Sequence, residues 1–170
     1  MGTWNDTDEP IAYLITFRTY GTWLHGDERG SIDKYHNLYG EPRAVSSSDR
    51  KALQAARLKS PPFLLNAASR RAVEKTIRDV CECRNWGLIA INVRTNHAHA
   101  GISGGAASAK ILNDFKAYAT RALRESGEWP YGHSPWADKG SRRFLWTEAH
   151  VGAASNYVLN GQGGELPEFD

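Results

Sequence analysis

The chain has 170 residues, of which 41% are hydrophobic and 11% aromatic. A chain of this length can bury one sizeable hydrophobic core but is too short for two, so we predict one folded domain spanning 1–170. Its formal net charge of +2 decides little about partners, because nucleic-acid binding depends on how charges cluster more than on their total. Long apolar runs and a basic leader are absent, and the only cysteines are Cys81 and Cys83, so we expect a soluble, unexported, cytoplasmic protein with no membrane association.

The N-terminal half is predicted to hold one strand, a long connection and an amphipathic helix. Residues 11–19 are rich in β-branched and aromatic side chains, which indicates a first strand. Residues 21–62 lack sustained periodicity, apart from a short helix predicted near 48–59. Because long connections in compact domains usually carry function, we expect substrate contacts there. Residues 69–83 place apolar side chains on one stripe, which predicts a helix capped by Ser69.

The second half is predicted to alternate strands and helices. Residues 86–93 form a nearly continuous apolar run, and 97–102 follow after a short polar connection, which predicts a hairpin. Residues 107–125 carry apolar side chains at helical spacing. A short apolar segment at 143–146 precedes a last helix at 147–160.

The order of these elements indicates the fold class. Strand, helix, strand, strand, helix, strand, helix predicts an α+β fold of the ferredoxin-like type, which RNA-recognition domains share. We expect an antiparallel sheet with helices on one face and an additional C-terminal helix that carries Tyr157.

His97 and His99 are two residues apart on a predicted strand. Because side chains alternate along a strand, we expect both imidazoles on the same face, separated by the small Ala98. Imidazole nitrogens are common ligands of divalent metals, so the pair is a candidate metal site. The spacing also fits two polar residues on an exposed hairpin face. The strand is otherwise apolar, however, and a buried imidazole needs a partner that offsets its desolvation.

Tyr157 lies late in the last helix, which Thr147 is predicted to cap. A helical tyrosine usually packs in a core, but the small residues at 152–155 leave space for a substrate to approach this ring. Tyr118 falls on the apolar stripe of its own helix, so we assign it to packing. A phenol nucleophile together with a bound metal is typical of phosphodiester transfer, in which the metal polarises the phosphate that the phenol attacks.

Four basic residues are candidates for contacts with phosphate groups. Basic side chains bind DNA largely through its backbone, although charges on helix faces are usually only solvated. The candidates are Lys116, Arg121, Arg142 and Arg143.

Three phrases of the sequence share features with a known family of enzymes. VRTNHAHAGI at 93–102 contains two histidines that flank one apolar residue, and LNDFKAYATRALRE at 112–125 is the helix after it. RRFLWTEAHVGAASNYVLNGQGG at 142–164 contains a strand with a tryptophan and then a helix with a tyrosine. Together they resemble the HUH superfamily, in particular its small single-tyrosine transposases, including those associated with repetitive extragenic palindromes. The resemblance covers the first strand and 69–164, whereas the connection at 21–62 is larger than in minimal members.

The resemblance implies an activity and a set of site residues. His97 and His99 would bind Mg²⁺ or Mn²⁺, and Tyr157 would be the nucleophile. A third metal ligand is expected about one helical turn beyond the tyrosine. Gln162 is the candidate, with Asn160 as second choice because Gln162 follows the tyrosine by five residues instead of four. The implied reaction is cleavage and joining of single-stranded DNA at or near hairpins through a 5′-phosphotyrosine intermediate. Some members form dimers and others act as monomers, so a homodimer is an open expectation.

Two other classes of function fit part of the sequence. A non-catalytic single-stranded nucleic-acid-binding module of the RNA-recognition type would stack bases on exposed aromatic rings. A zinc site would instead use two cysteines and two histidines, although the cysteine spacing differs from that of the usual zinc ribbon. The aromatic candidates are Tyr13, Phe17, Trp23 and Trp86, and the zinc candidates are Cys81, Cys83, His97 and His99.

Overall fold

A four-stranded antiparallel sheet forms the centre of the protein, as seen in a computed structural model that describes residues 9–22 and 48–167. The spatial order of the strands is β2-β3-β1-β4, so β3 lies between β1 and β2, and β1 lies between β3 and β4. Two β-α-β units therefore interleave, which confirms the predicted ferredoxin-like α+β class. The strands are β1 (Ala12–Arg18), β2 (Gly87–Val93), β3 (His97–Ser103) and β4 (Ser141–Leu145).

Two long helices cover one face of this sheet. They are α2 (Ala67–Arg84) and α3 (Ser108–Glu125), which pack against each other and against the strands. They follow a short helix, α1 (Ser48–Ala55), which confirms the helix predicted near 48–59 in a shorter form. Alternate residues of β1 and β3 point into this layer and form the larger hydrophobic core with apolar side chains of both helices. Its fully buried members include Ile15, Phe17, Ile77, Ala98, Ile102 and Phe115.

The last helix, α4 (Glu148–Asn160), lies on the opposite face of the sheet. Leu14 alternates with Ile15 along β1 and therefore points away from α2 and α3. It packs with side chains of α4 in a second, smaller core. The buried members of that core are Ala12, Leu14, Ala90, Leu145, Ala154 and Val158.

The two predicted helix caps have different outcomes. Thr147 caps α4, since its side chain accepts a hydrogen bond from the backbone N–H of His150 at 3.2 Å. The prediction that Ser69 caps α2 is wrong: the helix begins at Ala67 after an Asn66 cap, whose side-chain oxygen accepts from the Ser69 N–H at 2.8 Å. Asn is as good an N-cap as Ser, and the earlier of the two residues starts the helix.

The assignment of Tyr118 to packing is also wrong. Its side chain is 42% exposed, because it lies at the edge of the buried stripe of α3 instead of on it. The stripe consists of Ile111, Leu112, Phe115, Ala119 and Leu123.

Most of the long connection predicted at 21–62 lies outside the described residues, as does Trp23. The substrate contacts expected there stay a prediction. Among the helices in the described ranges, none is long and apolar enough to cross a membrane.

Candidate active site

The two histidines of β3 lie side by side on the sheet face that carries α4. His97 and His99 alternate with the buried Ala98, and their ring centroids are 4.6 Å apart. His99 is buried, at 5% exposure, and His97 is partly buried. The predicted placement of both imidazoles on one face is therefore confirmed.

Each imidazole is held through its Nδ1 atom. Nδ1 of His97 lies 2.6 Å from Oδ1 of Asn96, and Nδ1 of His99 lies 2.7 Å from the hydroxyl oxygen of Thr16. Hydrogen bonds at Nδ1 are the usual way in which proteins orient metal-binding histidines, because they leave Nε2 to bind the ion.

Helix α4 brings Tyr157 to the histidines. Ala154 and Val158 face the sheet and pack in the smaller core, and Tyr157, the residue before Val158, stands beside β3. Its ring centroid lies 5.3 Å from that of His99, edge to face, and 38% of the residue is exposed. The end of the helix is tied to β2 because Nδ2 of Asn92 donates to the Val158 carbonyl at 2.9 Å. The Tyr157 ring is thus partly exposed to solvent while the helix that carries it is fixed to the sheet.

The chain turns sharply after α4, and this turn requires glycine. The Gly161 N–H donates to the Tyr157 carbonyl at 3.0 Å. A Cβ at Gly161 would lie 2.8 Å from that carbonyl oxygen and 3.0 Å from a ring carbon of Tyr157. Only glycine allows the backbone to pass so close to the tyrosine.

This turn directs Gln162 back towards β3. Its Nε2 donates to the Tyr157 carbonyl at 2.9 Å, which orients the amide, and its Oε1 then lies 3.1 Å from Nε2 of His97. Asn160 points elsewhere, since its Nδ2 donates to Asn156 at 2.9 Å. Of the two candidates for a third ligand, the structure brings Gln162 to the histidines and does not bring Asn160 there.

The contact between His97 and Gln162 fits a cation. Oδ1 of Asn96 can only accept a hydrogen bond, so Nδ1 of His97 carries the proton and Nε2 of the neutral ring has a lone pair. Oε1 of Gln162 also carries lone pairs, so the two atoms attract each other only through a positive charge, either a second ring proton or a metal ion. In octahedral coordination at about 2.1 Å, neighbouring ligand atoms lie roughly 3 Å apart, close to the 3.1 Å observed.

The four basic candidates do not gather at this site. Lys116 donates from Nζ to the carbonyls of Ala137 and Lys139, and burial lowers the pKa of its ammonium, an effect that Asp138 partly opposes. Arg121 pairs with Glu125 on the outer surface of α3, and Arg142 donates to Ser108 at the start of α3. Only Arg143 lies on the sheet face of the histidines, because it pairs with Leu14 across β1 and β4.

The structure buries two of the four aromatic candidates for base stacking and separates the four candidates for a zinc site. Phe17 is 0% exposed beneath α2 and α3 and Trp86 is 9% exposed, so neither can stack a base. Cys81 is buried on α2, across the sheet from the histidines, and burial raises the pKa of its thiol to about 11. Within the described ranges, no three His, Cys, Asp or Glu side chains are grouped so as to hold a metal ion. The four residues of the zinc alternative therefore do not form a site together, as the unusual cysteine spacing had indicated.

Thr16 and Arg18 belong to this face but were not found from the sequence. Thr16 pairs with His99 and Arg18 with His97 in the register of β1 against β3. Their period-two spacing on β1 is visible in the sequence, but the register that brings them to the histidines is not.

We compared the chain with protein families, curated proteins and solved structures. No protein-family model matches the chain, and no curated protein matches it. It is similar to a solved structure described as a "putative transposase" from Deinococcus radiodurans R1, with 12% sequence identity and a TM-score of 0.47 over 96% of this chain and 100% of the other.

Proposed function

We propose that this chain is a metal-dependent endonuclease and strand transferase for single-stranded DNA, of the HUH transposase type. One observation supports the proposal above all: α4 holds the Tyr157 ring 5.3 Å from His99, and the turn after it holds Gln162 3.1 Å from His97. The phenol that would act as nucleophile and the donor atoms that would bind a cation thus lie close together. All four residues belong to a single chain, so the proposed site needs no second copy to complete it.

In the proposed reaction, Tyr157 forms a covalent bond with DNA. Its phenol oxygen attacks the phosphorus of a phosphodiester and loses its proton to the solvent that reaches the partly exposed ring. The bond between phosphorus and the 3′ oxygen breaks, and that oxygen takes up a proton to become a free 3′-hydroxyl. The tyrosine is left joined to the 5′ phosphate of the other fragment. Attack by a 3′-hydroxyl on this phosphotyrosine reverses the steps and joins two DNA ends.

His97, His99 and Gln162 would hold the metal ion. When bound, the ion would polarise the scissile phosphate and offset the negative charge that develops on it. Two imidazole nitrogens and one amide oxygen form a softer donor set than the all-oxygen sites that Mg²⁺ prefers, so we expect Mn²⁺ to bind more tightly than Mg²⁺. Asn96 and Thr16 would orient the two rings.

The proposed DNA is single-stranded and carries a hairpin, as the resemblance to the HUH transposases implies. Arg143 is the basic candidate best placed to contact its phosphates, since it shares the sheet face of the histidines. A non-catalytic binding module would retard such DNA without becoming attached to it.

The test is to look for the covalent intermediate. The protein would be incubated with labelled single-stranded hairpin DNA and Mn²⁺, denatured, and separated on a denaturing gel. We expect a labelled protein–DNA adduct that Tyr157→Phe abolishes and chelation of the metal prevents. Tyr118→Phe is a matched control, because Tyr118 is exposed to a similar degree, 42% against 38%, but lies on α3, across the sheet. Binding without any adduct over a range of hairpins, or an adduct that survives Tyr157→Phe, would contradict the proposal.

A further inference from the structure

The residue that holds His99 lies on a strand that the sequence did not connect with the site. Thr16 of β1 is paired with His99 of β3, and both side chains are 5% exposed. The hydroxyl oxygen lies 2.7 Å from Nδ1 of the imidazole. Because both partners are buried, water cannot easily replace this hydrogen bond.

The direction of this hydrogen bond decides what His99 can do. A hydroxyl can donate or accept. If Thr16 donated to Nδ1, the ring proton would be on Nε2, and that nitrogen could not bind a metal ion. If Thr16 accepts from Nδ1–H, Nε2 keeps its lone pair.

We propose that Thr16 is a positioning residue, whose hydroxyl accepts a hydrogen bond from Nδ1–H of His99 and so presents Nε2 as a metal-binding atom. At the neighbouring imidazole of His97, the partner of Nδ1 is likewise an oxygen, that of Asn96, which can only accept. In the proposed arrangement, both rings carry the proton on Nδ1 in their neutral form. The tautomer is a property of the protein alone, whereas its consequence for metal binding rests on the proposed function.

The choice of threonine fits this role. Its branched side chain is stiff about χ1, which fixes the direction of the hydroxyl on β1. On the other side of β3, Asn92 pairs with His99, but its Nδ2 donates to the Val158 carbonyl. Of these two cross-strand neighbours of His99, Thr16 is the one whose side chain contacts Nδ1.

The experiment reads the tautomer directly. ¹⁵N NMR of the metal-free protein, at about pH 8.5 where an ordinary imidazole is neutral, shows which ring nitrogen of each histidine carries the proton. The His99 signals would be assigned from their loss in His99→Asn. We expect the Nδ1–H tautomer in the wild-type protein and in Thr16→Ser, and a shift towards the Nε2–H tautomer in Thr16→Val, which has the same shape but no oxygen. Thr76→Val is a control, because it removes a hydroxyl bonded to a helix carbonyl of α2.

Metal binding gives a second measurement. Mn²⁺ affinity, followed by titration calorimetry, should fall about 10- to 100-fold in Thr16→Val and much less in Thr16→Ser. A wild-type His99 protonated at Nε2, or an unchanged tautomer in a folded Thr16→Val, would overturn the proposal. If Thr16→Val does not fold, the wild-type tautomer still decides. The expected tautomers in a protein that binds no Mn²⁺ would support the role of Thr16 and contradict the proposed metal site.

Discussion

Gln162 shows how one residue's position depends on where a helix ends. Counting one turn beyond Tyr157 leads to the position of Gly161, but α4 ends at Asn160 and the chain turns at Gly161 with φ −92° and ψ 10°. Helical spacing therefore no longer predicts which side chains after Asn160 lie near Tyr157. The turn brings the side chain of the next residue back to Tyr157 and His97, with hydrogen-bond distances of 2.9 and 3.1 Å.

Replacing Gln162 should weaken metal binding without removing the fold. We expect Gln162→Leu to lower the affinity for Mn²⁺ by at least about 10-fold, since one ligand oxygen is lost. Gln162→Glu should retain or increase the affinity, because a carboxylate is a better ligand than an amide. Titration calorimetry measures both. Asn160→Leu is the matched control two residues away and should bind as the wild-type protein does, whereas equal losses in both leucine variants would exclude a specific role for Gln162.

The two cysteines should differ in reactivity. Cys81 is buried, and burial raises the pKa of its thiol to about 11, with Arg78 lowering it by a smaller amount. Because the thiolate is the reactive form, this thiol stays protonated and shielded well above neutral pH. Cys83 is exposed.

Alkylation of the native protein at about pH 8.5 should therefore modify Cys83 and leave Cys81 unmodified. Mass spectrometry of the digested protein identifies the modified residue. In denaturant both thiols should react. Rapid labelling of Cys81 in the folded protein would show that α2 does not pack as described.

Helix α3 is joined to the loop before β4 through Lys116. The ammonium group donates to the carbonyls of Ala137 and Lys139 on the helix side of the sheet. This contact explains why a basic residue in the middle of the helix is partly buried. Lys116 therefore lies on the face of the sheet opposite to the histidines.

We expect Lys116→Met to destabilise the protein by about 1–3 kcal/mol, because two carbonyls lose a charged donor. Urea denaturation measures the free energy of unfolding. Lys75→Met removes an exposed ion pair with Asp79, whose partners are 76% and 56% exposed, and should cost less than about 0.5 kcal/mol. Adduct formation by the folded Lys116→Met protein should equal that of the wild type. A selective loss of adduct would instead restore Lys116 as a phosphate contact.

Periodicity identified the elements because their buried faces are set by local sequence. Helix α3 illustrates this, since its apolar residues recur every three to four positions and its predicted start at 107 is one residue from the observed Ser108. Local sequence did not identify the cap of α2, because Asn66 and Ser69 are both favourable N-cap residues. The residue that caps the helix is the one at which the helix starts in the folded structure, Asn66. Tyr118 shows the same limit, since an apolar residue at the edge of a stripe can be exposed.

The candidate site depends on contacts between residues that are far apart in the sequence. Thr16 and His99 are 83 residues apart, and their meeting depends on the register of β1 against β3. A shift of one residue would turn Thr16 to the other face of the sheet. Local patterns fix which residues alternate but not which strands pair, so the histidines could be predicted as a pair and Thr16 could not.

The same long-range arrangement predicts how the whole protein responds to metal. A bound ion would link β3 to the segment after α4, and in the described part of the chain α4 packs on a small core of six buried residues. Ligands that bind only the folded state stabilise it by about 2.7 kcal/mol at 100 times Kd. For a protein of this size, that corresponds to a rise in Tm of roughly 5–10 °C.

Calorimetry with and without Mn²⁺ should show this rise in the wild-type protein and also in Tyr157→Phe, which removes the nucleophile but no proposed metal ligand. His97→Ala should lose the rise, because it removes one of the two imidazoles. Ca²⁺ serves as a control for general effects of a divalent cation, since it prefers six to eight oxygen ligands and the site offers two nitrogens. If His97→Ala were stabilised by Mn²⁺ as strongly as the wild-type protein, the ion would bind elsewhere, and Tyr157 would have to act without the histidine pair.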